Sequence, residues 1–426
     1  MKALALHIST FCAAFCTALC PAFSSTAAAA EQAFSLQAAT AIASVQPGSV
    51  QLTSDVMRES STITPLDHTA QTEDIWERVR KGFAMRDLES PLVDDRMHYY
   101  LARPQQLKLM LERGRKYMYH IVTELEKRGM PTELALLPIV ESAYNPLALS
   151  SAKAAGLWQF IPSTGKDFQL TQNWWVDERR DIVASTDAAL KYLQAIYEMH
   201  GDWQLALASY NWGENAVARA IANNKSAGKP TDYMSLSMPT ETRYYVPKLQ
   251  ALKNIIAHPE LYQLALPNIP DRPYFTSIEK RQGMDVALAA KLAEMPLSEF
   301  LMLNPGYNRP VMPGSDNANI VLPVDNARKF QDNLSRHDAP LVTWKTYSVP
   351  RTERIEQVAK RLKLAVQEIA TANGLRARAL LAAGYTLLVP TSAQEAVAEV
   401  VNTASSKLRR VSAPAKKSRP YPRRRG

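Results

Sequence analysis

Apolar residues recur at helical spacings through residues 75–257, which predicts a mainly helical domain. The pattern is clearest at Ile75, Trp76, Val79 and Phe83 and in the stretches 106–127, 180–200 and 240–257. Glycine and proline separate these stretches at positions suited to turns. We therefore predict one helical domain over residues 73–266, a normal size for a single folding unit.

Past Pro267 the predicted secondary structure changes, because two segments share a strand–helix–helix–strand pattern. Leu297, Glu299, Phe300 and Asn304 of the first have counterparts at the same offsets in Val366, Glu368, Ile369 and Asn373 of the second. The two segments also end alike, in IVLP at 320–323 and LLVP at 387–390. This indicates a diverged internal repeat. We name residues 272–324 module 1 and residues 341–391 module 2.

The N-terminus has the composition of an export signal. The three cysteines, Cys12, Cys16 and Cys20, all lie in an apolar stretch that follows Lys2 and precedes an alanine tract. We interpret residues 1–30 as a secretory signal peptide and residues 31–72, rich in Ala, Ser, Thr and Gln, as a disordered linker. A lipoprotein signal is the weaker alternative, because Phe15 and Leu19 precede two of the cysteines where a small residue is required.

The charge is concentrated at the other end. The net charge is +9, and the last twenty residues carry nine Lys or Arg and no acid, so the rest of the chain is formally neutral. We treat residues 392–426 as a basic tail that attracts anionic envelope surfaces weakly. Nucleic-acid binding conflicts with export. No internal run approaches the ~20 apolar residues that a membrane span requires, so a multi-span membrane protein is excluded.

One glutamate falls on the apolar face of a predicted helix. With Thr132 as the expected N-cap, the residues Leu134, Leu137, Pro138 and Glu141 share one face. Burial raises the pKa of a carboxyl group and keeps it protonated near neutral pH, as a general acid requires. A buried structural glutamate, satisfied by backbone donors or by Arg179, is the alternative that periodicity alone slightly favours.

Aromatic and amide side chains cluster in three later segments: GLWQF at 156–160, SYNWG at 209–213 and ETRYY at 241–245. Aromatic faces pack on pyranose rings, and amides bind hydroxyl and acetamido groups, so this composition suits a sugar site. Each aromatic residue also has a simple core interpretation. No second carboxylate lies in a comparable context, because the acids at 177–181 alternate with Arg179 and Arg180 and indicate ion pairs or a helix start.

Four motifs in order resemble those of the lytic transglycosylases of the goose-lysozyme-like superfamily: ESAYNP at 141–146, GLWQF at 156–160, SYNWGENAV at 209–217 and ETRYYVPKL at 241–249. The resemblance covers residues 106–257. It implies a lysozyme-like helical domain that cleaves the MurNAc–GlcNAc β-1,4 bond of peptidoglycan and forms 1,6-anhydro-MurNAc.

The resemblance also implies roles for individual residues. Glu141 is expected to be the single catalytic acid/base. The substrate-binding residues expected from the motifs are Ser150, Gly156, Gln159, Tyr210, Asn211 and Tyr245. Tyr245 matches a tyrosine near the catalytic carboxyl. Ser150 is expected near the acetamido group of the scissile sugar.

Modules 1 and 2 resemble LysM modules, which are small βααβ units that bind N-acetylglucosamine chains. The predicted fold is therefore mainly α: a lysozyme-like helical catalytic domain followed by two βααβ LysM-like modules. Module 2 has Pro350, Arg351 and Thr352 where a Lys-Gly-Asp turn is usual, which puts its glycan binding in doubt. Module 1 is more degenerate, with Asn-Pro-Gly at 304–306, and is open to a purely structural role.

We expect no cofactor and no metal, because the seven His form no HExxH motif and no glycine-rich phosphate loop is present. The expected partner is peptidoglycan, and the expected location is the periplasm or cell envelope, with peripheral membrane attachment open. Two other functions remain: a hydrolytic muramidase on the same fold, and a non-catalytic glycan-binding scaffold. Mass spectrometry of digested peptidoglycan distinguishes the muramidase from a lytic transglycosylase. The activity of a Glu141→Gln variant distinguishes the scaffold from an enzyme.

Overall fold

The computed structural model describes residues 74–280, 282–314 and 319–393. The predicted signal peptide, linker and nearly all of the basic tail lie outside the described residues. Within these ranges, no helix combines the length and the apolar character needed to cross a membrane.

The N-terminal part is helical. Its α-helices are α1 Ile75–Lys81, α2 Pro91–Leu101, α3 Pro104–Gly114, α4 Met118–Lys127, α5 Leu137–Ser142, α6 Pro162–Asp167, α7 Ile182–His200, α8 Trp203–Trp212, α9 Glu214–Ser226, α10 Thr240–Arg243 and α11 Tyr245–Ala257. Short 3-10 helices cover Thr132–Leu136, Tyr233–Ser235 and Pro259–Tyr262. The amphipathic stretch 106–127 thus contains parts of two helices, which separate after Gly114, a residue of low helix propensity.

Helix α11 is the centre of this domain. It is buried on nearly all sides and packs against α1, α2, α5 and α8. Ten of its 13 residues are buried, so the neighbouring helices enclose it on most sides. Four helices, α1, α2, α7 and α8, begin at a capping side chain that accepts a backbone N–H of the first turn: Asp74, Ser90, Asp181 and Asp202.

The expectation that Thr132 caps the Glu141 helix is wrong. The Thr132 hydroxyl donates instead to the carbonyl of Val79 at 2.6 Å. Residues 132–136 form a 3-10 helix that leads into the short α5, so Leu134 and Glu141 do not belong to one continuous α-helix. The 3-10 turns tighten the chain where Thr132 is tied to the end of α1.

Each module has the predicted βααβ order. Module 1 contains β1 Phe275–Glu279, β2 Met284–Asp285, α12 Val286–Leu292, α13 Leu297–Leu303, β3 Val311–Met312 and β4 Asn319–Pro323, followed by α14 Val324–Ser335. Module 2 contains β5 Trp344–Ser348, β6 Glu353–Arg354, α15 Ile355–Leu362, α16 Val366–Asn373, β7 Leu380–Leu381 and β8 Thr386–Pro390. A last 3-10 turn covers Thr391–Ala393.

The two modules share their strand pairing. In both, the first and last strands pair antiparallel, with Phe275 opposite Pro323 in one and Trp344 opposite Pro390 in the other. The short inner strands pair in the same way, β2 with β3 and β6 with β7.

A buried asparagine completes each module in the same way. Asn304 donates to the carbonyls of Phe300 and Val321 and accepts the Val321 N–H at 2.8 Å. Asn373 makes the same three bonds in module 2, with Ile369 and Leu388. The predicted internal repeat is confirmed, down to the residue that ties the second helix to the last strand.

The apolar side chains form two separate cores. One continuous core includes the helical domain, module 1 and α14, whereas module 2 has a core of its own around Ile355, Leu362 and Leu387. The segment before module 1 is tied to α1, since Trp76 Nε1 donates to the Pro267 carbonyl at 2.8 Å. Module 1 is therefore built onto the helical domain.

Candidate active site

Glu141 lies in the last turn of α5, where the chain turns sharply into the following loop. Ala143 and Tyr144 both have positive φ, 50° and 55°, and end the helix. The Ser142 hydroxyl bonds to the carbonyl of Leu157 at 2.9 Å, which ties this helix end to the next segment. The turn leaves the Glu141 side chain facing a cavity.

This cavity of about 300 Å³ separates α2 from the loop after α5. Its lining residues are Arg96, Tyr99, Tyr100, Gln106, Met110, Ile139, Val140, Glu141, Ser142, Ala143, Asn145, Ala148, Leu149, Ser150, Gln159 and Lys248. Glu141 is the only carboxylate among these lining residues. A mixed lining of aromatic, amide and hydroxyl groups with one acid is suited to a polar, ring-shaped ligand.

Burial raises the pKa of Glu141 to about 7. A hydrogen bond from Tyr245 and the charge of Lys248 act in the opposite direction, and the charge of Glu241 adds to the rise. The Tyr245 hydroxyl donates to Glu141 Oε1. Near neutral pH the carboxyl group is thus divided between its acid and base forms, which suits a group that must first give and then take a proton.

Tyr245, which is buried, and Tyr210, which is half-buried, lie beside Glu141. Burial and the Glu141 charge raise the pKa of both phenols well above the usual range, so both remain neutral donors. Tyr210 donates to the carbonyl of Trp158 at 2.8 Å. Asn211 accepts the Thr242 hydroxyl at 2.8 Å, which joins α8 to α10. Tyr210, Asn211 and Tyr245 are not among the residues that line the cavity.

Residues 148–160, which we name the cleft wall, carry Ser150 and Gln159. Short bridges pair Leu149 with Ala155 and Ala155 with Phe160. The Ser150 hydroxyl accepts the Ala154 N–H at 3.0 Å, and the Gln159 amide donates to Gly156 at 2.8 Å. These bonds hold both side chains at the cavity.

Gly156 packs the cleft wall against the backbone of Arg179. It has φ of +83°, and an added Cβ would lie 2.1 Å from the Arg179 carbonyl oxygen. Glycine is therefore required by backbone packing at this position, and it is not among the residues lining the cavity. The sequence-predicted Glu141, Ser150 and Gln159 meet around one cavity, with Tyr245 bonded to Glu141.

The acidic segment 177–181 has structural contacts. Asp177 makes a two-pronged ion pair with Arg179, at 2.9 and 2.7 Å, and Asp181 caps α7. The prediction of ion pairs and a helix start is confirmed. Arg179 is therefore engaged away from Glu141. In the part of the chain that the structure describes, no three His, Cys, Asp or Glu side chains gather as a metal site requires.

Sequence reasoning missed the residues that α2 and α11 add to the cavity. Arg96 lies over the rings of Tyr99 and Tyr244, at 4.9 and 5.0 Å. Lys248 is buried one helical turn after Tyr245, so both lie on one face of α11. This spacing could have indicated from the sequence that Lys248 lies near the site. The sequence of α2 does not indicate a cavity. Its residues reach the cavity only because α2 packs against α11, which is distant along the chain.

Comparisons with known proteins agree with this geometry. Residues 118–232 match the family model "Transglycosylase SLT domain", and residues 274–339 match "Lytic transglycosylase MltD, LysM-like domain". The chain is 34% identical over 315 residues to membrane-bound lytic murein transglycosylase D of Escherichia coli K12, covering 71% of this chain and 70% of that protein.

A more distant similarity is limited to part of the chain. Membrane-bound lytic murein transglycosylase C of Glaesserella parasuis is 30% identical over 141 residues, which cover 30% of this chain and 38% of that protein. The protein of the same name from Haemophilus influenzae Rd is 31% identical over 131 residues, or 26% and 36% of the two chains.

Proposed function

This chain belongs to the family of membrane-bound lytic murein transglycosylase D, and we propose that Glu141 is the single acid and base of its reaction. The chain is a peptidoglycan lytic transglycosylase, a lyase that acts on a polysaccharide. The observation that carries the proposed role of Glu141 is its isolation: it is the one carboxylate among the residues lining the cavity, with a pKa raised to about 7.

The proposed reaction has two proton transfers. Protonated Glu141 donates to the glycosidic oxygen while the bond between that oxygen and C1 of MurNAc breaks, and the GlcNAc portion leaves as an alcohol. The Glu141 carboxylate then removes the proton of the MurNAc C6 hydroxyl, whose oxygen bonds to C1. The product is 1,6-anhydro-MurNAc, and Glu141 ends in its original protonated form.

The lone carboxylate favours this internal attack over hydrolysis. Ordinary glycosidases use two carboxyl groups, separated by about 5–5.5 Å in retaining enzymes and 6.5–9.5 Å in inverting ones. Glu241, the other acid that acts on Glu141, is not among the residues lining the cavity. With no second carboxylate among the residues lining this cavity to activate water or attack C1, we infer that the substrate supplies the nucleophile.

The other predicted residues receive supporting roles. Tyr245 orients the Glu141 carboxyl group through its hydrogen bond. Ser150 and Gln159, which line the cavity, contact the acetamido and hydroxyl groups of the glycan. Tyr210, Asn211 and Gly156 hold the elements that carry these groups, through the contacts with Trp158, Thr242 and Arg179.

The reaction product provides the test. Purified peptidoglycan digested with the protein should release muropeptides with 1,6-anhydro ends, identified by mass spectrometry. Glu141→Gln should reduce release by at least about a thousandfold, because it removes the only proposed proton donor. Muropeptides with reducing MurNAc ends would instead establish a hydrolytic muramidase, and unchanged release by Glu141→Gln would remove Glu141 from the mechanism.

We further infer export to the periplasm or cell envelope, where the substrate of a lytic murein transglycosylase is found. The signal-peptide composition of residues 1–30 supports this location. Module 2, with its separate core, is proposed to hold the enzyme on glycan strands and so to raise its effective concentration at the polymer.

A further inference from the structure

A strand-like contact joins the helical domain to module 1. Asp177 N–H donates to the Gly306 carbonyl and Asn308 N–H to the Trp175 carbonyl, both at 2.8 Å, so that Val176 and Tyr307 pair as an antiparallel bridge. We name this contact the 176/307 bridge. Backbone pairing fixes the two segments in one register, which side-chain contacts alone do not do.

Side chains reinforce the 176/307 bridge. Asn308 donates to the Asn173 carbonyl at 3.0 Å and accepts from Arg180. The Arg309 guanidinium lies 4.5 Å from the Trp174 ring centroid, within the range of a cation–π contact. Every one of these partners lies in the segment that leads from α6 to α7.

Arg179 connects this segment to the cleft wall. Its guanidinium is held by Asp177 through two bonds, and its Nη1 donates to the carbonyls of Lys153 at 2.6 Å and Phe160 at 3.1 Å. Its own carbonyl oxygen packs against Gly156. Arg179 is 6% exposed, so water does not compete for these bonds.

We propose that module 1 is a structural part of the catalytic cleft, in which the 176/307 bridge fixes Asp177 and Arg179 so that Arg179 positions the wall carrying Ser150 and Gln159. Arg179 is a positioning residue, because it touches the wall and not the cavity. The inference rests on the proposed function in one respect, that Ser150 and Gln159 contact the glycan.

A second contact makes module 1 a rigid support. On α13, the Met302 carbonyl accepts the Tyr117 hydroxyl at 3.0 Å, and Glu299 pairs with Lys116 at 3.2 Å. The helical domain and module 1 also share one core. Two separated contacts and a common core oppose rotation of module 1 against the helical domain. The 176/307 bridge is therefore held in a fixed position.

Within the described residues, no β-bridge joins module 2 to the helical domain. It has its own core and meets module 1 at Leu341, whose carbonyl accepts the Asp285 N–H, and at Thr343, whose N–H and hydroxyl donate to Asp285. The Arg309 guanidinium of module 1 also lies close to Gly374. The two similar modules are thus expected to differ in purpose: the first supports the cleft and the second is available for the polymer.

The test compares Asn308→Ala with Asn326→Ala in the full-length protein. Asn308→Ala removes the bonds to Asn173 and Arg180 across the contact. Asn326→Ala removes a bond of the same kind between α14 and module 1, to the Ala293 carbonyl at 2.7 Å. Arg179→Lys keeps the charge but cannot make the two-pronged pair and both carbonyl bonds together.

Two measurements are made on each variant at a temperature well below its unfolding. Hydrogen exchange of the backbone amides at 148–160 should accelerate about fivefold or more in Asn308→Ala and Arg179→Lys, since loss of about 1 kcal/mol of local stability gives that factor. The KM for soluble glycan fragments should rise by about threefold to tenfold, with kcat and the midpoint of the pH profile unchanged. Asn326→Ala should change neither.

Exchange that accelerates only at 171–181, or a KM equal to that of Asn326→Ala, would overturn the proposal. The hydrogen-exchange result does not depend on enzymatic activity. If the wild-type protein released no anhydro product, the proposed function would fail while the exchange comparison still reported whether module 1 supports the wall.

Discussion

At the scale of the residue, the acid strength of Glu141 is set by neighbours of opposite effect. Burial dominates and raises its pKa, the Tyr245 hydrogen bond and the Lys248 charge lower it, and Glu241 raises it. Lys248 also interacts with Glu241 and Arg96, so the charged groups around the carboxyl group act together. The proposed single acid/base needs this balance, because no other carboxylate lines the cavity to share the two proton transfers.

The pH dependence of the reaction follows from that balance. The role proposed for Glu141 requires its protonated form in the free enzyme, so kcat/KM should fall as pH rises through about 7. Lys248→Met removes a charge that lowers the Glu141 pKa and should move this falling limb of the pH profile to higher pH. Glu241→Gln removes a charge that raises the pKa and should move the limb to lower pH. Each shift should be on the order of one pH unit or less.

The measurement is kcat/KM on soluble glycan fragments between pH 5 and pH 9, a range of about two units on either side of the expected midpoint. The paired variants control for each other, because a loss of packing would lower activity without moving the limb in opposite directions. Two limbs that shift the same way, or not at all, would contradict the assignment of this limb to Glu141.

At the scale of the element, Asn304 and Asn373 allow one substitution to be tested in two settings. Each makes three buried hydrogen bonds, one to a carbonyl of the second helix and two to the last strand of its module. Changing either to alanine leaves buried backbone groups without partners and should cost about 2–4 kcal/mol. Asn373→Ala should destabilise module 2 alone. Asn304→Ala should also weaken the helical domain, with which module 1 shares a core.

Calorimetry and activity on soluble fragments distinguish the two variants. We expect Asn373→Ala to lower one unfolding transition and leave the activity on soluble fragments near that of the wild type. Asn304→Ala should lower the transition of the larger core together with that activity. Equal effects of the two substitutions on activity would mean that the modules are attached in the same way.

The repeat was predictable because Asn304 and Asn373 stand at equal offsets within equal helix patterns. Glu141 was identifiable for a similar reason, since an acid among apolar residues is conspicuous. The 176/307 bridge was not predictable, because its pairing uses backbone N–H and C=O groups, which every residue except proline carries in full. Arg96 was missed because only the packing of α2 against α11 brings it to the cavity.

At the scale of the whole molecule, the described residues form two cores, and the surplus positive charge of the sequence lies near its C-terminus. The larger core includes the helical domain with its cavity and module 1, and the smaller core belongs to module 2. Domain limits drawn from composition separated module 1 from the helical domain at about residue 267, yet the structure packs apolar side chains of both into a single core. A change of secondary-structure pattern marks a change of architecture, but whether two architectures share a core depends on surfaces that meet only after folding.

The basic tail adds an electrostatic contribution that sequence alone predicts, since residues 394–426 lie outside the described residues. Nine Lys and Arg among the last twenty residues should attract the carboxylates of peptidoglycan or anionic lipid headgroups. Deleting the residues after Val400 should weaken sedimentation with sacculi at low salt. The difference should disappear near about 0.5 M salt, where screening acts within about 4 Å. Activity on soluble glycan fragments should not change.

A tail of the same length with its Lys and Arg replaced by Gln controls for chain length and should behave like the deletion. Undiminished low-salt sedimentation of both variants would show that the tail does not bind the envelope.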